Sequence, residues 1–260
     1  QNARDMAIVI SRKYTEYLAD TASDVKVRVL SNDAAGAKAA LDAVTDALNL
    51  FSNWFGDYPY AELDIAQAEC LTGGASFPQL IELNDQLFSS RNKDALRREV
   101  VFQVAHQWFS GIVGSNQADE PWLDDAVCSY VTLMYTEERQ GYQAYLKALN
   151  DQVLASLQLT LPGSLYVDSP IARFSEPGEY QIAVIDRGTA VLHELSGAMG
   201  RQALLAALKL YVQDNWLKNA SMADFSAALN EAASGKWDAF LIDHMRSIGD
   251  YANQQLDWYE

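Results

Sequence analysis

The stretch VVFQVAHQWFSGIVGSNQADEPWLDDAVCSY, residues 100–130, decides the fold. Its first part belongs to a helix predicted over residues 93–113, and its last part begins a helix predicted over residues 121–139. The proline that opens the second helix suits a first turn, because proline lacks the amide hydrogen that would be left unpaired there. A polar loop, GSNQADE, separates His106 on the first helix from Asp125 on the second.

Around this stretch the pattern changes from strands to helices. Residues 4–30 alternate in the manner of β-strands, in MAIVIS, YTEYLA and VKVRVL. A helix is predicted from Asp33 to Phe55, with Asn32 or Asp33 as its N-cap. Two more predicted strands, ELDIAQAEC and FPQLIELN, flank a TGG turn. Later helices are predicted at 141–157, 178–199, 201–216, 221–233 and 236–247, so the chain has an α+β pattern.

Composition excludes some classes of partner. The 260 residues, 49% of them hydrophobic, suffice for one large domain or two smaller ones. With 19 basic and 35 acidic residues the formal charge is −16, which repels nucleic acid and anionic lipid. No apolar run is long enough to predict membrane insertion by this segment. The start without Met indicates a piece of a longer protein, and Cys70 and Cys128 form neither a disulfide framework nor a CxxC motif.

The segment AHQWFSGIVGSNQADEPWLDDAVCSY closely resembles the zinc-carrying segment of the membrane alanyl aminopeptidase family, which are gluzincin peptidases. FGDYPYAELDIAQAE, TGGASFPQL and YQIAVIDRGTAVLHEL resemble further family landmarks, in the same order. The resemblance implies an α+β thermolysin-like catalytic domain, a short β-sheet plus helices, followed by a helical region. It implies three parts: residues 1–32 as the end of an N-terminal β domain, 33–175 as the thermolysin-like region, and 176–260 as its helical continuation.

The zinc motif of the family is changed in this chain. In HExxH two histidines on one helix face bind zinc, and the glutamate acts as general base on the zinc-bound water. Residues 102–106 read FQVAH instead. Phe102 cannot ligate a metal, and the Gln103 amide cannot act as a base. At the third ligand position stands Asp125, one methylene shorter than glutamate. With His106 it offers two ligands where a catalytic site uses three, so zinc is expected for the family but no metal is predicted here.

Two substrate-contacting positions differ as well. Ser76 stands where the resemblance places the glutamate that holds the amino end of a peptide. Ile185 stands where the family has a tyrosine that stabilises the tetrahedral intermediate, and isoleucine has no hydrogen-bond donor. Tyr180, five residues earlier, is predicted to lie on a different part of the helix surface and to be a poor substitute. The two other histidines, His193 and His244, lie too far from any histidine to form a helical pair.

For His106 two interpretations stay open. It is either a relic ligand or a partly buried histidine beside Phe102 and Phe109, with its ring hydrogen-bonded to Asp125. The Phe102 ring would then occupy volume that zinc and water fill in the family. Cys128 either completes an unusual metal set with His106 and Asp125, or behaves as a small buried hydrophobic residue.

These changes predict a noncatalytic homologue of a zinc aminopeptidase, a binding or scaffold protein with no catalytic residues. Loss of a general base alone lowers a rate by about 10²- to 10⁴-fold, and loss of the metal removes the activated water. A peptide, glycan or protein is the expected ligand, bound in the old cleft or on another surface. The alternative is an enzyme, either an active metallopeptidase with a rearranged zinc site or an enzyme with unrelated chemistry in the same cleft. The resemblance favours an extracellular or cell-envelope location, and the oligomeric state is left open.

Overall fold

A computed structural model describes residues 5–89, 91–157, 159, 161 and 164–246. Its contacts divide the chain into two compact units, Gln1–Ile112 and Val113–Glu260, which are described separately below. The predicted boundaries, after residue 32 and after residue 175, fall at other places and stay predictions. The architecture is α+β, as predicted.

The first unit contains a five-stranded sheet with the order β1-β2-β3-β5-β4. The strands are β1 (Thr15–Asp20), β2 (Lys26–Ser31), β3 (Glu62–Ala68), β4 (Gly74–Phe77) and β5 (Leu80–Asn84). The pairs β2/β3 and β3/β5 are parallel, whereas β1/β2 and β5/β4 are antiparallel. Because side chains alternate between the faces of a strand, one face of the central strands is wholly buried, through Val27, Val29, Leu63, Ile65, Ile81 and Leu83.

Two long helices complete this unit. They are α1 (Ala34–Phe55), which contacts β2, and α2 (Lys93–His106), which contacts α1 and β4. Asp33 caps α1, because its carboxylate accepts a hydrogen bond from Gly36 N at 2.7 Å. The chain leaves α1 at Gly56, where φ is 117°. A short 3-10 turn (Asp85–Phe88) precedes α2, and a π-helical segment, π1 (Gln107–Ile112), follows it.

One predicted strand is wrong. YTEYLA and VKVRVL form β1 and β2, but MAIVIS lies in a segment, residues 5–14, that has no regular secondary structure. Its apolar side chains alternate, yet Met6, Ile8 and Ile10 are 80%, 70% and 87% exposed. A strand needs a neighbour to pair its backbone groups, and none of the strands in the described ranges pairs with this segment.

The second unit is helical. Its helices are α3 (Asp125–Gln140), α4 (Tyr142–Leu149), α5 (Ala155–Leu157), α6 (Pro177–Tyr180), α7 (Arg187–Met199), α8 (Arg201–Asp214), α9 (Met222–Ala232) and α10 (Trp237–Arg246). Shorter segments are the 3-10 turns Pro121–Leu123 and Ile171–Arg173 and the π-helices π2 (Asn150–Leu154) and π3 (Gln181–Asp186).

These helices confirm the predicted ones to within a few residues, including the capping box that Ser221 and Asp224 form at the start of α9. The sequence did not indicate the π-helices, which interrupt several of the predicted helices. The predicted helical continuation over residues 247–260 lies outside the described residues. Among the helices that the structure describes, none is both long and apolar enough to cross a bilayer.

Candidate functional site

The predicted site residues fall in both units. Ser76, Phe102, Gln103 and His106 lie in the first unit, and Asp125 and Ile185 lie in the second. The geometry is therefore given for each unit by itself.

A buried amide, Gln107, organises the site in the first unit. It begins π1 and is 1% exposed. Its Nε2 donates to Ser76 Oγ at 2.6 Å and to the Phe77 carbonyl at 2.9 Å. Its Oε1 accepts from Tyr58 Oη at 2.8 Å and from the backbone N of Gln79 at 3.1 Å. All four hydrogen-bonding positions of the amide are thus in use, and they tie the edge strand β4 to π1.

Ser76 takes part in the same hydrogen bonding. Besides accepting from Gln107, its hydroxyl donates to the carbonyl oxygen of Gln103 at 3.1 Å. A serine hydroxyl has a single proton to donate. The residue at the position of the family's substrate-holding glutamate is therefore engaged in joining β4 to α2.

Gln103, at the general-base position, is also engaged. Its side chain is buried, and Nε2 donates to Glu99 Oε1 at 2.8 Å, one helical turn earlier. Burial raises the pKa of the Glu99 carboxyl, although the hydrogen bond from Gln103 and the charge of Arg98 oppose this rise. Sequence reasoning missed Glu99. The available signal was its i,i+4 spacing from Gln103 on one helix face.

Phe102 and His106 are in contact, as predicted. Their ring centroids are 4.7 Å apart and their planes meet at 88°, so one ring presents its edge to the other. His106 is 8% exposed, whereas Phe102 is partly exposed. Phe109 packs edge-on against Phe55 at 5.0 Å in the aromatic core of this unit. The predicted hydrogen bond from His106 to Asp125 would join different units and stays a prediction.

In the second unit an acidic pair opens α3. Asp124 is 2% exposed, and its carboxylate accepts from Asp125 N at 2.9 Å and from Gln117 Nε2. Burial, and then the charge of Asp125, raise the pKa of Asp124 to about 8. The Asp125 carboxylate accepts a hydrogen bond from the hydroxyl of Tyr180. Sequence reasoning did not find this contact at the third-ligand position.

The sequence-based expectation for Tyr180 assumed α-helical spacing, and that assumption is wrong. Residues 181–186 form π3, in which hydrogen bonds join residues five apart. Tyr180 and Ile185, which are five apart, therefore lie closer to the same side of the helix than they would on an α-helix. Burial and the charge of Asp125 raise the pKa of the Tyr180 hydroxyl, which donates its proton to the Asp125 carboxylate in a hydrogen bond.

Two further positions in the second unit reflect close packing. A methyl group on Gly188 would lie 2.6 Å from Ala126 Cβ, so α7 and α3 approach closely only because this residue is glycine. Cys128 is fully buried, which raises the pKa of its thiol well above the ordinary value. This burial agrees with the hydrophobic interpretation of Cys128. Both Cys70 and Cys128 are free thiols.

A model of the peptidase family M1 domain matches residues 39–247, which is most of the chain. The chain belongs to peptidase family M1. This confirms the resemblance to the gluzincin aminopeptidases. The match includes α2 with His106, Asp125 at the start of α3, and π3 with Ile185.

The curated relatives of this M1 chain are named aminopeptidases. Aminopeptidase M1-B of Oryza sativa subsp. japonica is 27% identical over 209 residues, which cover 75% of this chain and 23% of that protein. Aminopeptidase M1 of Arabidopsis thaliana is 26% identical over 235 residues, covering 85% and 27%. Glutamyl aminopeptidase of Bitis rhinoceros is 25% identical over 241 residues, covering 86% and 25%. This chain therefore spans about a quarter of the length of these relatives.

Proposed function

We propose that this chain is a noncatalytic member of peptidase family M1 that binds a peptide or protein without hydrolysing it. One observation carries the proposal: the side chains at the former base and substrate positions are held by partners within the first unit. The Ser76 hydroxyl is bonded to Gln107 and to the Gln103 carbonyl, and the Gln103 amide is bonded to Glu99. These bonds use the one proton of the Ser76 hydroxyl and one of the two amide protons of Gln103.

The donor set does not fit a catalytic zinc ion. The α2 helix offers one imidazole, His106, and the edge of a phenyl ring where a second imidazole would be required. The third position offers Asp125, whose side chain is one methylene shorter than the glutamate of the family. A catalytic zinc site uses three protein ligands and leaves one position open for water. The proposed function therefore includes no metal-assisted step.

Metal analysis tests the proposal. The protein is purified without chelator, incubated with zinc and desalted, and its zinc content is compared with that of His106→Ala. We expect both to lack stoichiometric zinc and to leave aminoacyl and internal peptide substrates intact. An M1 aminopeptidase with an intact HExxH motif, treated in the same way, is the positive control for zinc loading.

The opposite result would support the alternative function. Stoichiometric zinc in the wild-type protein that disappears in His106→Ala, together with peptide hydrolysis, would identify an active metallopeptidase with a rearranged site. An extracellular or cell-envelope location stays a prediction, which fractionation of the source cells would test.

A further inference from the structure

A buried hydrogen-bonded contact in the second unit contains a histidine that takes no part in the candidate site. The hydroxyl of Tyr145 on α4 is hydrogen-bonded to Nδ1 of His193 on α7. The two ring centroids are 5.8 Å apart, and Tyr145 is 4% exposed. Tyr145 is also hydrogen-bonded to Tyr130 on α3, and Tyr130 is bonded in turn to Ser196 on α7. Buried polar groups therefore connect α4 to both α3 and α7.

Acidic groups on α7 and on the elements packed against it are engaged by other partners. Glu137 of α3 pairs with Arg201 of α8 at 2.8 Å, with Glu138 at 3.8 Å from the same guanidinium, Glu194 of α7 pairs with His244 of α10 at 3.7 Å, Asp151 of π2 pairs with Lys147 of α4, and Asp186 of π3 accepts a hydrogen bond from Gln181 at 2.9 Å. A positive charge on His193 would have to compete for carboxylates that already have partners.

Burial opposes a charge on the His193 ring. It lowers the pKa of His193 from the ordinary value of 6.5 to about 4. A protonated imidazole carries a hydrogen on both ring nitrogens, so Nδ1 could no longer accept a hydrogen bond from the Tyr145 hydroxyl. If Nδ1 already donates that hydrogen bond, protonation still places a positive charge in a site withdrawn from water, which is costly. Acid therefore weakens this contact whichever nitrogen carries the proton in the neutral ring.

The direction of the pH effect follows from the lowered pKa. The ring takes up a proton more readily once α4 and α7 have separated and water reaches it. The contribution of His193 to the stability of the contact is therefore complete above pH 6.5 and is lost as the pH falls towards 4. For one group with these two pKa values, the separated form becomes about 30-fold more favourable between pH 7.5 and pH 5.

We propose that the contact of Tyr145 with His193 is an acid-sensitive connection in the second unit, which releases α4 from α7 when the His193 ring is protonated. This property of the fold goes beyond the proposed function. Since α3 begins with Asp125 and α7 follows π3 with Ile185, the connection involves the two helices next to the candidate-site residues of this unit.

Hydrogen exchange measured at several pH values tests this proposal. The exchange rates of the α4 amides, Tyr142–Leu149, are divided by the rates of the same amides in His193→Gln, so that the intrinsic pH dependence of exchange cancels. Glutamine keeps a polar side chain at this position but does not titrate. We expect the ratio to rise about 30-fold between pH 7.5 and pH 5. The same ratio for the α9 amides, Met222–Ala232, should change much less.

Two further measurements identify the group responsible. His244→Gln is the matched control, because it removes another histidine of the same unit, on α10. Its α4 amides should keep the acid response of the wild type. NMR titration of the His193 ring in the wild-type protein does not depend on the folding of any variant, and the ring should titrate well below pH 6.5.

Several outcomes would overturn the acid-sensitive connection. They are an unchanged α4 ratio between the two pH values, an equal rise in the α9 ratio, which would indicate general acid unfolding, and loss of the α4 response in His244→Gln. Titration of the His193 ring near pH 6.5 in the folded protein would overturn it as well.

Discussion

Replacing Gln107 with leucine should weaken the attachment of β4 to the rest of the first unit. The substitution nearly conserves volume but removes four hydrogen bonds, and so leaves polar groups of Ser76, Phe77, Tyr58 and Gln79 without this partner. At about 1 kcal/mol net for each bond the loss is about 4 kcal/mol. Better burial of the leucine side chain returns about 1 kcal/mol. We therefore expect Gln107→Leu to lower the local stability by about 3 kcal/mol, or roughly 100-fold in the opening equilibrium.

Hydrogen exchange shows where that energy is lost. Three of the four partners lie on β4 or directly after it, at positions 76, 77 and 79. The amides that join Gly74–Phe77 to β5 should therefore exchange about 100-fold faster in Gln107→Leu, whereas those between β2 and β3 should change much less. Gln202→Leu is the control, because Gln202 is an exposed residue of α8 and its replacement should change stability by less than about 0.5 kcal/mol.

Unchanged protection of the β4 amides in Gln107→Leu would show that Gln107 does not hold this strand. Ser76 would then not depend on Gln107 for its position, and the interpretation of Ser76 as a structural residue would lose its main support. A uniform loss of protection over the whole sheet would mean that the substitution damages the core and not the attachment of one edge strand.

The structure also predicts how three other substitutions change the free energy of unfolding. Gly188→Ala should destabilise the second unit by about 1 to 3 kcal/mol in urea unfolding, because its new methyl group would overlap Ala126. Gly197→Ala is the control on the same helix: its methyl group meets no atom within 4 Å, and it should stabilise the unit by about 0.5 to 1 kcal/mol. Equal effects of the two substitutions would contradict the close packing at Gly188. Asp124 has a folded-state pKa raised to about 8, so its contribution to stability is complete below its unfolded value of about 4 and is lost as the pH rises towards 8. Asp124→Asn should flatten the decline of the unfolding free energy over that pH range, and an unchanged slope would show that Asp124 is not the group responsible.

Much of the fold was predictable because its signals are local. The bounds of α1 follow from a capping aspartate, Asp33, and a terminating glycine, Gly56. The capping box at Ser221 marks the start of α9 in the same way. The strand prediction for MAIVIS failed because alternation describes only the chain itself, while a strand exists only when another strand supplies hydrogen bonds.

The contacts of the candidate site were not predictable, because they join residues far apart in sequence. In the sequence Gln107 is indistinguishable from any other glutamine in a helix, and no neighbouring residue indicates its hydrogen bonds to Tyr58 and Ser76. The contact of Tyr180 with Asp125 was missed for another reason. It occurs next to a π-helix, and no sequence rule used for periodicity distinguishes a π-turn from an α-turn.

The hydrogen bond between Gln103 and Glu99 determines what a substitution at position 103 would do. A buried polar group needs a partner, and Gln103 has one in Glu99. Restoring the family's base by Gln103→Glu would place two carboxylates together one helical turn apart, where like charges repel and raise the pKa of one of the pair. A glutamate at position 103 could also no longer donate the hydrogen bond that the Glu99 carboxylate accepts from the Gln103 amide. We therefore expect Gln103→Glu to destabilise the first unit, and Glu99→Gln to relieve part of that loss.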